Sequence, residues 1–204
     1  MDIVTKKIWG IILAAGFSRR MGTAKLLLPY KGKSILGHVM EQSLNSKLSG
    51  ISVVVNPQIP ELVKEAYLPG IDKVILNEQA SKGLSASIKS GLLSVPADTA
   101  GVMFLLGDMP LITLHEINKV IEDYSAQKDA PLIVQSSYKN QKGHPVLFDR
   151  RLFPEFYFVD GDEGGKSIIN KYKRQVYYSN METSMASDID TDVDYQKLLR
   201  EEVC

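Results

Sequence analysis

The chain has 204 residues, 44% hydrophobic and 24% charged, with 24 basic and 24 acidic side chains and one cysteine, Cys204. That supports one sizeable core and a single domain over 1–204. It leaves no apolar run near the roughly 20 residues that cross a bilayer, and no intramolecular disulfide framework or cysteine metal cluster. Zero net charge argues against bulk nucleic-acid binding, and the opening MDIVTKKIWG lacks the apolar core of a signal peptide, so a cytoplasmic protein with no membrane or nucleic-acid partner is expected.

Residues 8–14 (IWGIILA) read as a buried strand, which runs into LAAGFSRRMGTAK at 13–25. This stretch holds Gly16 and Gly22, Arg19, Arg20 and Lys25, and no acid. Glycines let backbone amides approach an anion closely, and the cations can contact phosphate oxygens. The alternative is a basic surface loop. Between Ile3 and Met40 there are seven Lys and Arg and no Asp or Glu, whereas Glu182, Asp188, Asp190, Asp192 and Asp194 follow Asn180. Each run can be a solvated face. If the two ends meet, they offer cations for a polyanion and carboxylates for a metal.

Residues 34–46 have apolar positions at helical spacing after a Ser cap. A strand at 51–55, a helix at 61–67 and a short strand at 73–76 follow. Residues 85–93 form a helix entered through Gly83-Leu84-Ser85, with Ser85 and Ser87 as candidate caps. A strand at 101–106 ends in Gly107-Asp108. Then come a helix at 114–127, a strand at 132–135, a helix at 167–173, a strand at 175–178 and a last helix at 194–201. Continuous apolar strands alternating with amphipathic helices predict a mostly parallel sheet covered on both faces. Ligands of such sheets bind outside the carboxyl ends of the strands, where AAGFSRRMG and GDMP both fall.

Two stretches imitate a phosphate-binding P-loop. YKGKS (30–34) has Leu27 where the first glycine belongs, and GDEGGKS (161–167) has its first glycine one residue too close. The P-loop wraps phosphates at one fixed geometry, so neither qualifies. Asp108 is a short, hard ligand suited to Mg²⁺, although Asp in Gly-Asp-x-Pro is commonly a turn or cap residue. In SDIDTDVDY (187–195), alternation sends Asp188 and Asp190 to one face with Ile189 opposite. Those carboxylates repel unless a cation or solvent lies between them, or they form a solvated cluster at the start of the last helix.

The stretch at 13–25 resembles the signature Leu-Ala-Ala-Gly-x-Ser-x-Arg-Met-Gly-x-x-Lys of the MobA-like nucleotidyltransferases, at Leu13, Ala14, Ala15, Gly16, Ser18, Arg20, Met21, Gly22 and Lys25. The resemblance implies a Rossmann-like three-layer α/β nucleotidyltransferase fold. It also implies a triphosphate wrapped by the 13–25 loop, with Arg20 and Lys25 as the main phosphate contacts. Gly107-Asp108-Met109-Pro110 resembles the family's metal-binding motif, so Asp108 would carry Mg²⁺. Asn77, Gly83 and Ser85 lie in a segment similar to the one lining the nucleobase and ribose. SDIDTDVDY resembles Asp-Ile-Asp-Thr-Pro-x-Asp, with Asp192 in place of the proline, and makes Asp190 the second metal ligand ahead of Asp188.

KGHPVLF (142–148) and GDEGGK (161–166) resemble the Gly-His-Pro and Gly-Asp-x-Gly-x-Arg motifs of the molybdenum-cofactor cytidylyltransferase branch. They nominate Gly143, His144, Pro145, Asp162 and Lys166 as acceptor-binding residues. Lys166 stands where arginine is usual, a point charge in place of a bidentate fork. Ala14-Ala15-Gly16, unlike the Ala-Gly-Gly of the guanylyl branch, implies CTP, ahead of other NTPs. The implied acceptor is a molybdopterin-type phosphate and the implied downstream partner a molybdoenzyme apoprotein. An isoprenoid-precursor or sugar-phosphate nucleotidylyltransferase and a non-catalytic nucleotide-binding or cofactor chaperone are the alternatives. His38 and His115 read as ordinary helix-face residues.

Overall fold

The computed structural model describes residues 6–17, 21, 24–139 and 141–200. Among them the central sheet has seven strands, in the order β5 (Lys73–Leu76), β4 (Gly50–Val55), β1 (Ile8–Ala14), β6 (Gly101–Leu106), β8 (Lys142–Asp149), β7 (Ile133–Ser137) and β9 (Val176–Asn180). The pairs β4–β5, β1–β4, β1–β6 and β7–β9 are parallel. Only β8 is inverted, pairing antiparallel with both β6 and β7. A small hairpin of β2 (Pro29–Tyr30) and β3 (Lys33–Ser34) stands apart.

All seven residues of β1 are buried, as a strand with helices on both sides requires. Ile8, Ile12 and Ala14 enter a core with α1 (Ile35–Leu44), α2 (Pro60–Ala66) and α4 (Leu114–Ala126). Trp9, Ile11 and Leu13 enter a second core with α3 (Leu84–Leu93), the 3₁₀ turns of Arg150–Phe158 and α5 (Lys166–Lys171). Two cores on opposite faces of one sheet make the three-layer α/β arrangement expected from the sequence. Full burial of a side chain such as Ile8 or Ile12 contributes about 1.5–3 kcal/mol. No helix among the described residues is long and apolar enough to cross a membrane.

Strands β1, β5 and β6 coincide with the periodic runs in the sequence, and Ser34 caps α1 through its hydroxyl, which accepts from the Gly37 amide at 2.8 Å. Several elements were not anticipated, the β2–β3 hairpin among them. Residues 142–149 form a full strand, although Gly143 and Pro145 mimic a turn signal. Here the β7–β8 register shifts at Gln135/Ser136, so Pro145 has no ladder partner and its missing N–H leaves no bond unmade. The Arg150–Phe158 turns follow at once. The last helix, α6 (Asp192–Arg200), begins two residues earlier than expected.

Candidate active site

The site forms where the carboxyl ends of β1 and β6 touch. Gly107 donates its amide to the Leu13 carbonyl at 3.0 Å. A Cβ at position 107 would lie 3.1 Å from that oxygen and 3.3 Å from Ala14 Cβ, so a side chain there would push the strand ends apart. The glycine therefore brings Asp108 alongside Ala14, Ala15 and Gly16.

Lys25 opens a 3₁₀ turn, Lys25–Leu27, whose Leu26 is buried in the core. Its ammonium donates to Asp108 Oδ2 at 2.7 Å and to Asp190 Oδ1 at 2.8 Å, with only 12% of the side chain exposed. Asp190 is delivered by the segment preceding α6. Ile189 donates its backbone N–H to the Asp108 carbonyl at 3.0 Å and buries its side chain in the core. Asp188 and Asp190 consequently both turn to the other side, as alternation predicts. Beyond them, Asp194 Oδ2 accepts from the Thr191 amide at 2.8 Å and its hydroxyl at 2.7 Å, setting the turn into α6.

One carboxylate oxygen from each of Asp108, Asp188 and Asp190 lies within 4.8 Å of the others. Burial, and then the charges of Asp108 and Asp190, push the Asp188 carboxyl above its ordinary range. Burial pulls the Lys25 ammonium down, but Asp108 and Asp190 outweigh it and the net shift is upward. Three hard oxygen donors at this spacing suit a divalent cation that retains waters and phosphate oxygens as its other ligands.

The cluster opens into a pocket of about 670 Å³ lined by Leu13, Ala14, Ala15, Gly16, Lys25, Gly83, Leu84, Ser87, Asp108, Asp162, Asp188 and Asp190, among others. Its far wall depends on Gly83, whose φ of +97° favours glycine. A Cβ there would also stand 2.6 Å from Asp162 Oδ1 and 2.7 Å from the Gly161 backbone. The 161–162 loop can thus close on α3: Asp162 Oδ1 accepts from the Leu84 amide at 3.1 Å, and the Gly161 carbonyl from the Ser85 amide at 3.0 Å. This corrects the capping expectation. Gly83 takes the N-cap position, Asp162 supplies the acceptor from a distant loop, and Ser85 and Ser87 lie inside the helix.

The remaining nominated residues are distributed around this pocket. Asn77 is buried and donates to Ser87 Oγ at 2.9 Å while accepting from the Gln79 amide at 3.0 Å. Asn77 and Ser85 line an adjoining cavity of about 770 Å³, together with Lys82 and Lys89. Gly143, His144 and Pro145 belong to β8 and are part of neither lining. The His144 ring nitrogen Nδ1 lies 3.5 Å from the Phe104 carbonyl. Burial pulls its pKa down, against that carbonyl and the charges of Asp108 and Asp188, so the ring is held toward its neutral form. Tyr138 donates its hydroxyl to the His144 carbonyl at 2.7 Å. Lys166 is exposed at the first turn of α5 and is not part of either lining. Arg20 and Gly22, with Ser18 and Arg19, lie outside the described residues. Leu84 and Ala80 were missed as pocket residues, since an apolar residue beside a helix start carries no chemical signal of its own.

A three-layer α/β sheet that gathers a lysine and several carboxylates at the carboxyl ends of its central strands has the architecture of a nucleotidyltransferase. The chain belongs to the MobA-like NTP transferase domain family, whose model matches residues 10–176. Asp188 and Asp190 come from beyond that stretch. The chain is 28% identical over 200 residues to the purine catabolism protein PucB of Bacillus subtilis (strain 168), covering 94% of this chain and 95% of that one. It is 31% identical over 154 residues to the bifunctional protein GlmU of Buchnera aphidicola subsp. Schizaphis graminum, covering 72% of this chain but only 32% of GlmU. Among solved structures, Rv0371c of Mycobacterium tuberculosis H37Rv superposes with a TM-score of 0.84 at 27% identity, covering 97% of this chain and 100% of the other. A structure of Rv0371c in complex with manganese superposes at 0.80 with 24% identity, covering the same shares.

Proposed function

We propose that this chain, as one domain spanning 1–204, transfers a cytidylyl group from CTP to the phosphate of a molybdopterin-type acceptor and releases pyrophosphate. The observation that carries the reading is the junction of Lys25 with Asp108 and Asp190 at the head of the pocket. It puts a cation and a carboxylate cluster where a triphosphate lying across the β1 and β6 ends would need both. The pocket volume falls in the ordinary range for small-molecule sites.

In this reading Leu13, Ala14, Ala15, Gly16 and Gly22 supply the close backbone approach, and Arg20 and Lys25 hold the phosphates. Ala15, Gly83 and Leu84 border the nucleobase. Asn77 and Ser85 act through the frame, Asn77 by fixing Ser87 and Ser85 by tying α3 to Gly161. Asp108 and Asp190 would hold Mg²⁺, with Asp188 beside them; when bound, the ion supplies Lewis-acid neutralisation of phosphate charge. The hard donor set and the manganese complex of Rv0371c support a divalent ion. The Gly143-His144-Pro145 segment and the Asp162–Lys166 loop are assigned to the acceptor, with Lys166 meeting its anionic groups where they project from the pocket.

An oxygen of the acceptor phosphate attacks the α-phosphorus of the nucleotide, and the bond from that phosphorus to the bridging oxygen breaks. The electron pair leaves on pyrophosphate. No protein nucleophile is required, so the chain contributes in-line positioning and countercharge. The product would then pass to a molybdoenzyme apoprotein in the cytoplasm.

Offering the four NTPs, with and without molybdenum-loaded molybdopterin, while following pyrophosphate tests the assignment. CTP turnover that depends on the molybdopterin is expected. GTP in preference to CTP, or a sugar phosphate in preference to molybdopterin, would replace the substrates. Nucleotide binding without any release of pyrophosphate would favour a carrier role.

A further inference from the structure

The segment that delivers Asp188 and Asp190 is laid across the sheet's edge strand by strand. It leaves β9 at Met181, whose amide donates to the Ser137 carbonyl at 2.8 Å and whose side chain is buried in the core. Further on, the Thr183 carbonyl accepts from the Lys139 amide, just past β7, at 3.1 Å. The far end is the bond from the Ile189 amide to the Asp108 carbonyl, just past β6. The spatial order here is β6, β8, β7, β9, and inverted β8 begins where β6 and β7 end. Between its two bonded ends, the segment has to pass the start of β8.

Gly143 stands at that crossing. A Cβ there would lie 2.0 Å from Met185 Sδ, 3.1 Å from Cε and 3.5 Å from Cγ, so the thioether occupies the place of a side chain. The side-chain amide of Gln141 donates to the same sulfur at 3.6 Å. Backbone conformation does not call for glycine, since Gly143 pairs with Ser136 in the strand ladder and its φ is not positive. The need comes from packing. Between Thr183 and Ile189 the chain is neither helix nor strand, and such a stretch has many courses open to it. A socket for one long, adaptable side chain selects among them.

We propose that Gly143 and Met185 are positioning residues, a notch and its plug, which set the course of residues 181–190 and so hold Asp188 and Asp190 beside Asp108. This rests on the metal-site reading above, and it gives Gly143, which lines neither pocket, an indirect part in that site.

The test exchanges bulk across the contact. Gly143→Ala would be met by a turn of the thioether, whereas the side chain of Gly143→Val branches at Cβ, suits a strand and fills the notch. Gly143→Val, Met185→Ala, Met185→Leu and the double variant Gly143→Val/Met185→Ala are compared with wild type, each checked for folding by circular dichroism. The first readout is hydrogen exchange of the Ile189 amide by NMR, with the amides of β4 as internal standard. Gly143→Val should speed Ile189 exchange roughly 5–150-fold relative to β4, the range that overpacking sets. Met185→Ala should speed it too, and Met185→Leu should stay close to wild type. The double variant should return toward wild type, because the valine takes the space that the thioether gives up. Titration with Mn²⁺, followed by loss of its aqueous EPR signal, should rank the variants in the same order. Ile189 exchange unmoved in Gly143→Val or in Met185→Ala would overturn the proposal, as would a double variant no better than Gly143→Val. If Gly143→Val does not fold, Met185→Ala against Met185→Leu decides. Faster exchange with unchanged Mn²⁺ affinity would overturn the link from this contact to the acids. A wild type that does not bind Mn²⁺ would refute the metal-site reading, while the exchange rates would still decide whether notch and plug hold the segment.

Discussion

The backbone amide of Ile189 donates to the carbonyl of Asp108 at 3.0 Å, joining the segment before the last helix to the end of a central strand. The Ile189 side chain, 3% exposed, holds that joint in the core. Ile189→Ala should cost about 2–5 kcal/mol, and Ile189→Val about 0.5–1.5, read from urea denaturation. If the joint positions Asp188 and Asp190, Ile189→Ala should also weaken Mn²⁺ binding under conditions where the protein remains folded. Unchanged Mn²⁺ binding would detach the two acids from this anchor.

Asp108 sits at a strand end with its carboxylate in the pocket, so Asp108→Asn should nearly abolish pyrophosphate release while leaving the thermal transition close to that of wild type. Near-normal activity with Mg²⁺ would refute its role. Asp190, bonded to Lys25 as Asp108 is, should matter more than Asp188. Steady-state kinetics of Asp190→Ala and Asp188→Ala decide this, and the reverse order would exchange the two assignments.

Removing one preorganised partner of developing charge costs about 10²–10³ in rate. Lys25→Ala and Arg20→Ala should each fall in that range, and Arg19→Ala, which has no counterpart in the family signature, should be mild. An Arg19 loss as large as that for Arg20 would mean that the basic loop meets the phosphates in another register.

Ala15, 3% exposed, contributes a methyl to the pocket lining. Space of that size discriminates by about 10–200-fold, so Ala15→Gly should reduce a preference for CTP over GTP without inverting it. Ratios of kcat/KM for the two nucleotides provide the check. An unchanged ratio would move the nucleobase away from Ala15.

Stability should carry an acid limb from Asp149. Burial raises its pKa, but Arg151, whose Nε donates to Oδ1 at 2.8 Å, and the Tyr124 hydroxyl, 2.7 Å from Oδ2, outweigh burial and hold it below the ordinary range. A carboxyl whose folded pKa is depressed contributes stability that is complete above the unfolded value, about 3.9, and that is lost as pH falls through the folded value. The stability gap between wild type and Asp149→Asn should therefore be widest above about pH 4 and narrow below it. Urea denaturation from pH 6 to pH 2 measures this, and a gap independent of pH would contradict it.

Much of this molecule was legible in the order of its residues. β1, β5 and β6 follow from continuous apolar runs, because a strand covered on both faces must be apolar at every position. Lys25, Asp108 and Asp190 were nominated by motif, and the alternation around Ile189 placed Asp188 and Asp190 on one side. Tertiary structure decided the rest. The reversal of β8 was hidden because Pro145 is tolerated only through a register shift involving its neighbour β7. Asp162 caps α3 from a distant loop, an arrangement permitted by the missing side chain of Gly83. The pairing of Lys25 with Asp108 and Asp190 arises where strand order brings the β1 and β6 ends beside the segment that carries Asp188 and Asp190. Local periodicity encodes which side of an element is buried, but the partners met across such distances are set by the crossing of strands, and no local pattern records that.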